Sequence, residues 1–166
     1  PYAASKASAD RLCFAYWKTY GIDVTIARPC NIYGPRQKGG IGGAVIPIFV
    51  ERALGNQPLV VYGSGSQRRQ YMHVDDLVSA YMLVLEKPSL AGEVFNFGTD
   101  DNPSIKEIAE FVARQCDSTV EYGQPRPGEV QAFVLDNTKA YQLGFAPKVG
   151  FWDGLTRYID WRRGNS

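Results

Sequence analysis

Tyr20-Gly21-Ile22-Asp23-Val24-Thr25-Ile26-Ala27-Arg28-Pro29 decides the fold class of this chain. Upstream, from about Ala3 to Tyr20, the residues Leu12, Ala15, Tyr16 and Tyr20 recur near helical spacing. Gly21 supplies the stop, because glycine takes the left-handed conformation that ends a helix without a Cβ clash. Downstream, Ile22 to Ala27 partly alternates and is rich in β-branched residues, so it reads as a buried strand that ends at Arg28-Pro29. A strand directly after a helix predicts α/β layering.

The same reading extends toward the C-terminus. Gln37 to Gly43, with Gly39, Gly40, Gly42 and Gly43, reads as a loop, and Val45 to Leu54 as a helix with Pro47 in its first turn and Gly55-Asn56 at its end. Leu59 to Tyr62 is a short strand, Gly63-Ser64-Gly65-Ser66 a turn, and Gln70 to Val74 a strand passing to a helix capped by Asp75 or Asp76 that stops near Pro88. Glu93 to Phe97 is a strand. Ser104-Ile105-Lys106-Glu107 is a capping box: the serine oxygen accepts from the backbone N–H three residues on, and the glutamate reaches back to the serine N–H. Helix follows to about Cys116, then a strand at Thr119 to Tyr122, a loop at Pro125-Arg126-Pro127-Gly128, a short helix from Asn137 to Leu143, and an amphipathic helix over Phe151 to Trp161.

Composition excludes several classes of function. The 166 residues, 45% hydrophobic, suffice for one ordinary core and exclude a disordered tail. Lys plus Arg number 18 against 17 Asp plus Glu, so the net charge of +1 offers no broad attraction to nucleic acid or anionic membrane, and an anionic ligand must be held by local groups. Cys13, Cys30 and Cys116 are odd in number and form no CxxC pair, which argues against a disulfide framework and a zinc site. A soluble protein of a reducing cytoplasm is expected. No apolar run approaches the roughly 20 residues of a membrane-spanning helix. Pro1 and Tyr2 run straight into a helical pattern, as expected of a chain trimmed or truncated within a domain.

Tyr2 and Lys6 are four apart at the start of the first helix, so both side chains leave the same face. An ammonium beside a phenol favours the phenolate, which can exchange a proton with a substrate hydroxyl. The pattern gains meaning from its context. Pro1-Tyr2-Ala3-Ala4-Ser5-Lys6-Ala7, followed by Arg28-Pro29-Cys30-Asn31-Ile32-Tyr33-Gly34-Pro35-Arg36-Gln37, resembles the extended short-chain dehydrogenase/reductase family of NAD-dependent nucleotide-sugar epimerases and dehydratases. The resemblance implies that Tyr2 is the catalytic acid/base and that Lys6 tunes it and bonds the nicotinamide ribose. It implies that Pro29 and Cys30 line the nicotinamide, and that Asn31 contacts the sugar nucleotide.

The likeness covers essentially the whole chain. Gly65-Ser66-Gln67-Arg68-Arg69-Gln70-Tyr71-Met72-His73-Val74-Asp75-Asp76 is similar to the family's GxQxRDxxxVxD segment, which implies that Arg69 binds the nucleotide diphosphate; a guanidinium suits paired phosphate oxygens. Arg68, one residue away in a strand, is expected to point to the opposite face, toward solvent. Gln70 departs from the family, where many members carry Asp. Arg126-Pro127-Gly128-Glu129 resembles the family's RPGD loop, with Glu129 for Asp, and implies contacts of Arg126 and Glu129 to phosphate and ribose. Tyr62, on the strand Leu59-Val60-Val61-Tyr62, stacks on the nucleotide base by the same resemblance, or is simply a buried strand aromatic. Leu143-Gly144-Phe145-Ala146-Pro147 and the helix to Trp161 are similar to the family's C-terminal end.

Other features carry no chemistry. Gly63-Ser64-Gly65 and the Gly39 to Gly43 loop lack the strand-before, helix-after setting of a dinucleotide fingerprint. His73 is the single histidine and reads as structural, and no metal site is expected. The expected fold is α/β: residues 1–36 as the catalytic helix and strand of a truncated Rossmann-type domain, and 37–166 as mainly a small substrate-binding lobe, with segments of about 75–116 returning to the Rossmann sheet. The family's GxxGxxG turn does not occur among these residues. The chain alone is therefore expected to bind NAD poorly and turn nothing over, NADP being the less expected cofactor. The reading that follows is a nucleotide-sugar 4-epimerase or related dehydratase, leaning to epimerase, acting on a nucleotide-diphosphate sugar as a homodimer. The alternative is a non-catalytic sugar-nucleotide-binding or self-association module.

Overall fold

The computed structural model describes residues 1–37, 39 and 43–165. Helix α1 (Tyr2–Tyr20) begins at Pro1 and ends on Gly21, whose φ of 66° is left-handed and whose N–H donates to the Trp17 carbonyl. The expected strand from Ile22 is shorter than its pattern: β1 is Ile26–Pro29. Residues before it are tied to the loop at residues 90–92, with the Thr25 hydroxyl donating to the Leu90 carbonyl and the Gly92 N–H to the Val24 carbonyl. Pro29 is tolerated at the last strand position, where its missing N–H breaks no ladder. A second strand, β2 (Asn31–Tyr33), follows at once, although its Pro- and Gly-flanked triplet carried no alternation.

Helix α2 is Val45–Leu54 and β3 is Leu59–Tyr62. The strand expected over Gln70 to Val74 is two pieces, β4 (Arg68–Arg69) and β5 (Tyr71–His73), separated at Gln70. Helix α3 (Val74–Glu86) starts with no loop after β5, so its cap is His73 rather than Asp75 or Asp76. The His73 Nδ1 accepts from the Asp75 N–H at 3.3 Å. Then come β6 (Val94–Phe97), α4 (Ile105–Cys116), β7 (Val120–Gly123), β8 (Ala132–Phe133), α5 (Thr138–Leu143) and α6 (Phe151–Gly164). The capping box of α4 is complete, with both reciprocal bonds to Ser104 and Glu107. Helix α6 runs past the expected Trp161. Gly40 and Gly42 of the expected glycine-rich loop lie outside the described residues.

Among the described residues the strands form four parallel pairs: β1 with β6, β2 with β5, β3 with β7 and β4 with β8. Each pairing joins strands far apart in sequence, so the helices between them act as crossovers, the layering an α/β chain requires. Two apolar cores result. One packs α2, α4 and α6 around β3, with Phe49, Val50, Leu59, Ile108, Val112, Leu155 and Ile159 buried. The other packs Met72, Ala80, Phe95, Phe97, Ala140 and Phe145 between β5, α3, β6 and α5. Each fully buried large side chain of this kind contributes about 1.5–3 kcal/mol.

Helix α1 stands apart: none of its residues is buried. Trp17 crosses Gly92, where a Cβ would meet the indole at 2.3 Å, and Asp10 pairs with Arg28. Leu12, Phe14, Tyr16 and Tyr20 are exposed.

Candidate active site

Helical geometry places Tyr2 and Lys6 one turn apart, and the Lys6 Nζ lies 5.6 Å from the centre of the Tyr2 ring. Tyr2 stands over an open cleft of about 350 Å³ whose floor is Pro29, Cys30 and Asn31 at the junction of β1 and β2. Arg69, Gln70, Val130 and Phe133 complete its walls. The structure thus brings together Tyr2, Pro29, Cys30, Asn31 and Arg69, five residues singled out from the sequence; Lys6 reaches the cleft only through the Tyr2 ring.

Asn31 is fixed by its neighbour strand: its backbone N–H and its Nδ2 both donate to the Gln70 carbonyl, at 3.3 and 2.9 Å. Burial pushes the Cys30 thiol up to about 12, partly offset by backbone hydrogen bonds from Cys30 and Thr99, so it is a neutral, apolar wall near neutrality. Arg69 donates to the carbonyls of Arg68 and Val130. Its guanidinium therefore also ties β4 to the segment before β8, leaving further N–H groups for a ligand. Arg68 leaves the opposite face, as expected of adjacent strand residues, but it is not simply solvated. It donates to the Asn102 carbonyl at 2.8 Å and pairs with Glu107 at 3.2 Å, bracing the cap of α4.

A second, smaller cleft of about 140 Å³ gathers Tyr62, Arg126 and Glu129 against Val45 and Phe49 of α2. The Arg126 guanidinium lies 4.0 Å from the centre of the Tyr62 ring. Gln67, buried beneath them, donates from one amide nitrogen to the Tyr62 carbonyl at 3.0 Å and to the Glu129 carboxylate at 2.7 Å. The longer Glu129 side chain, where the family pattern has Asp, is long enough to be held by that amide. Tyr62 is partly exposed rather than buried. One stretch of chain, Arg126 to Phe133, serves both clefts.

Sequence reasoning missed Thr99, Val130 and Phe133, and read Gln67 and Gln70 only as positions of a motif, Gln70 as a departure from it. The available signal was a glutamine on each side of an Arg-Arg pair, two uncharged polar residues beside two charged ones; both glutamines are buried. His73, also buried, stacks edge-on against Tyr33 at 5.5 Å and lies behind the site. Among the described residues no cluster of three or more His, Cys, Asp or Glu is placed to hold a metal, and no helix is long and apolar enough to cross a membrane.

Residues 1–98 match the model of the NAD dependent epimerase/dehydratase family. The chain belongs to that family. A dTDP-glucose 4,6-dehydratase of Streptomyces niveus is 39% identical, aligned over 99% of this chain and 49% of its own length. The crystal structure of a UDP-glucose 4-epimerase from Thermotoga maritima, with UDP-glucose, superposes with a TM-score of 0.92 at 34% identity, covering 99% of this chain and 54% of that one. A dTDP-glucose 4,6-dehydratase from Streptomyces venezuelae, crystallised with NAD, superposes with a TM-score of 0.91 at 37% identity over 99% of this chain and 51% of that one. The chain spans about half the length of these relatives, and its α/β fold is that of the C-terminal half of their Rossmann-type structures.

Proposed function

We propose that the chain is the acid/base and substrate-binding half of an NAD-dependent nucleotide-sugar epimerase or dehydratase. The observation that carries this reading is the convergence of Tyr2, with Lys6 against its ring, on a cleft floored by Pro29, Cys30 and Asn31 and walled by Arg69. Residues 1–36 with the α3–β6 segment belong to the Rossmann side of the division, since β6 pairs with β1; α4 packs with α2 and β3 on the substrate side.

Tyr2 takes the proton of the sugar 4-hydroxyl at its phenol oxygen, and Lys6 places its positive charge beside that ring and toward the nicotinamide ribose. NAD supplies the hydride acceptor when bound. The flat, apolar floor of Pro29 and neutral Cys30 suits the face of a planar nicotinamide ring, so the residues present fit that end of the cofactor; the glycine-rich turn for its pyrophosphate does not occur in the sequence. Asn31 bonds the sugar, Arg69 the diphosphate, Arg126 and Glu129 the phosphate and ribose, and Tyr62 stacks on the base. The resulting 4-keto sugar is re-reduced in an epimerase or dehydrated in a dehydratase. Both activities are named among the relatives, and the RPCNIYGPRQ stretch leans the reading to an epimerase. The chain alone turns nothing over, and the intact enzyme works in a cytoplasm as a homodimer.

Calorimetric titration of the folded chain with UDP-glucose and dTDP-glucose at millimolar concentration tests the substrate half of this reading. Heat that disappears in Tyr62→Ala and Arg126→Ala supports it. A folded chain that takes up neither nucleotide sugar leaves it without basis. Formation of a keto sugar by the chain with NAD alone would overturn its inactivity.

The module reading draws on one observation, the exposed aromatic face of α1, which suits self-association. Sedimentation of the chain as a monomer at high micromolar concentration would remove it.

A further inference from the structure

Gln70 sits at the break between β4 and β5, 4% exposed, at the one point where the floor, the Arg69 wall and the 130–135 segment meet. Every polar group it owns on that side is engaged. Its carbonyl accepts from Asn31 twice. Its Nε2 donates to the Thr99 carbonyl at 2.7 Å, and its Oε1 accepts from the Leu135 N–H at 2.6 Å. Thr99 is itself buried and anchored, its hydroxyl donating to the Tyr71 carbonyl at 2.9 Å. One end of the amide thus grips the turn after β6, which belongs to the sheet side, and the other grips the segment after β8, which carries the cleft wall.

The segment held this way has two further ties, the Arg68 N–H donating to the Gln131 carbonyl at 2.9 Å and the Asn96 Nδ2 to the Asp136 carbonyl at 3.2 Å. Ala132, Phe133 and Val134 are exposed, and β8 is two residues long, paired among the described residues with β4 alone. Arg69 grips it at Val130, Gln70 at Leu135. Between these two pins lies Phe133, which with Val130 forms the wall opposite Tyr2. An ionised carboxylate in this place has only acceptors: it can receive the Leu135 N–H but cannot donate to the Thr99 carbonyl. The neutral two-ended amide is what the facing pair, one acceptor and one donor, requires.

We propose that Gln70 is a positioning residue of the site, a clamp whose amide fixes the Val130–Leu135 strap against the cleft floor and so sets where a bound nucleotide sugar lies relative to Tyr2 and Arg69. The ligand in this statement rests on the function proposed above; the clamp does not.

The test separates the two. Amide hydrogen exchange of the free chain is followed by mass spectrometry in wild type, Gln70→Met, which keeps the side-chain bulk and removes both bonds, and Gln70→Glu, which keeps an acceptor for Leu135. Exchange across 132–136 rises about tenfold in Gln70→Met, the scale of one lost buried hydrogen bond. It rises by less in Gln70→Glu, which keeps the Leu135 bond but loses the one to Thr99, while the α4 amides are unchanged in both. UDP and dTDP titrations of the same proteins show affinity falling about tenfold in Gln70→Met. Strap exchange equal in all three proteins, or rising together with that of α4, refutes the clamp, because a packing role would affect both variants alike. A loosened strap with unchanged nucleotide affinity refutes the positioning role. If wild type binds neither nucleotide, the proposed function falls, and the exchange comparison alone decides the clamp.

Discussion

Asp76 offers the sharpest stability experiment. It lies in the first turn of α3, 2% exposed, and its two carboxylate oxygens accept from the Lys148 N–H at 2.8 Å and the Val149 N–H at 3.0 Å. Those two amides precede α6, so one side chain ties the sheet-side helix to the helix that closes the larger core. Asp76→Ala leaves two part-buried donors without their acceptors, and each such orphan costs up to about 1–3 kcal/mol. Taking the middle of that range and allowing for partial access of water, the loss is about 3 kcal/mol. With a slope of about 2 kcal/mol per molar urea for a domain of this size, the unfolding midpoint falls by about 1.5 M. Asp76→Asn keeps one acceptor but turns an NH₂ group toward the second donor, so it recovers no more than half of the loss. Urea unfolding followed by tryptophan fluorescence measures both variants, and hydrogen exchange at residues 148 and 149 locates the effect. A loss in Asp76→Ala below about 0.5 kcal/mol, or an Asn variant as stable as wild type, would mean that these amides find water or other partners and that the tie is incidental.

Further outcomes are expected at the clefts and at the helix cap. Tyr62→Phe retains the Arg126 stack and leaves nucleotide affinity within about twofold, whereas Tyr62→Ala weakens it about tenfold or more, since stacking on an aromatic is worth roughly 1–3 kcal/mol per base; calorimetry reads both. Hydrogen bonds from the Ser104 backbone and side chain, then the Arg68 charge, hold the Glu107 carboxyl below the usual carboxylate range. Its stabilising effect is thus present above the unfolded value of about 4.3 and fades as pH falls through the lower folded value. The melting-temperature gap between wild type and Glu107→Gln should narrow in acid and remain small throughout, because the Arg68–Glu107 pair is half-exposed. Cys30, with its thiol raised to about 12, alkylates more slowly than Cys13 at pH 8 by peptide mass spectrometry. Its burial favours the protonated folded form, so that contribution is complete below about pH 8.5 and is lost as pH rises toward 12.

What the sequence disclosed and what it hid divide along the range of the interactions. The stop at Gly21 and the capping box at Ser104 and Glu107 are local devices, readable from neighbours within four residues, and the structure has both. Strands β2, β4 and β8, two or three residues each, are too short to show a period of two, and they exist because a distant strand pairs with them. Ile22 to Thr25 had the composition of a strand without a partner strand to make it one. The site follows the same rule. Tyr2, Asn31 and Arg69 were legible because they stand in motifs, whereas Gln70 acquires its role from Thr99 and Leu135, 29 and 65 residues away. Even Arg69, legible as a cation, gave no sign that it would hold the Val130 carbonyl, 61 residues on.

The contact between Trp17 and Gly92 makes α1 a lever. Tyr2 lies fifteen positions from Trp17, about 22 Å along the helix, so a tilt of only about 3° at the tryptophan end displaces the phenol by about 1 Å. Misplacement on that scale matters to proton transfer. A methyl group at position 92 would push directly on the indole ring. On the function proposed above, the aim of the Tyr2 phenol thus depends on a glycine in a remote turn, whose φ of 80° makes a side chain there costly to the turn as well.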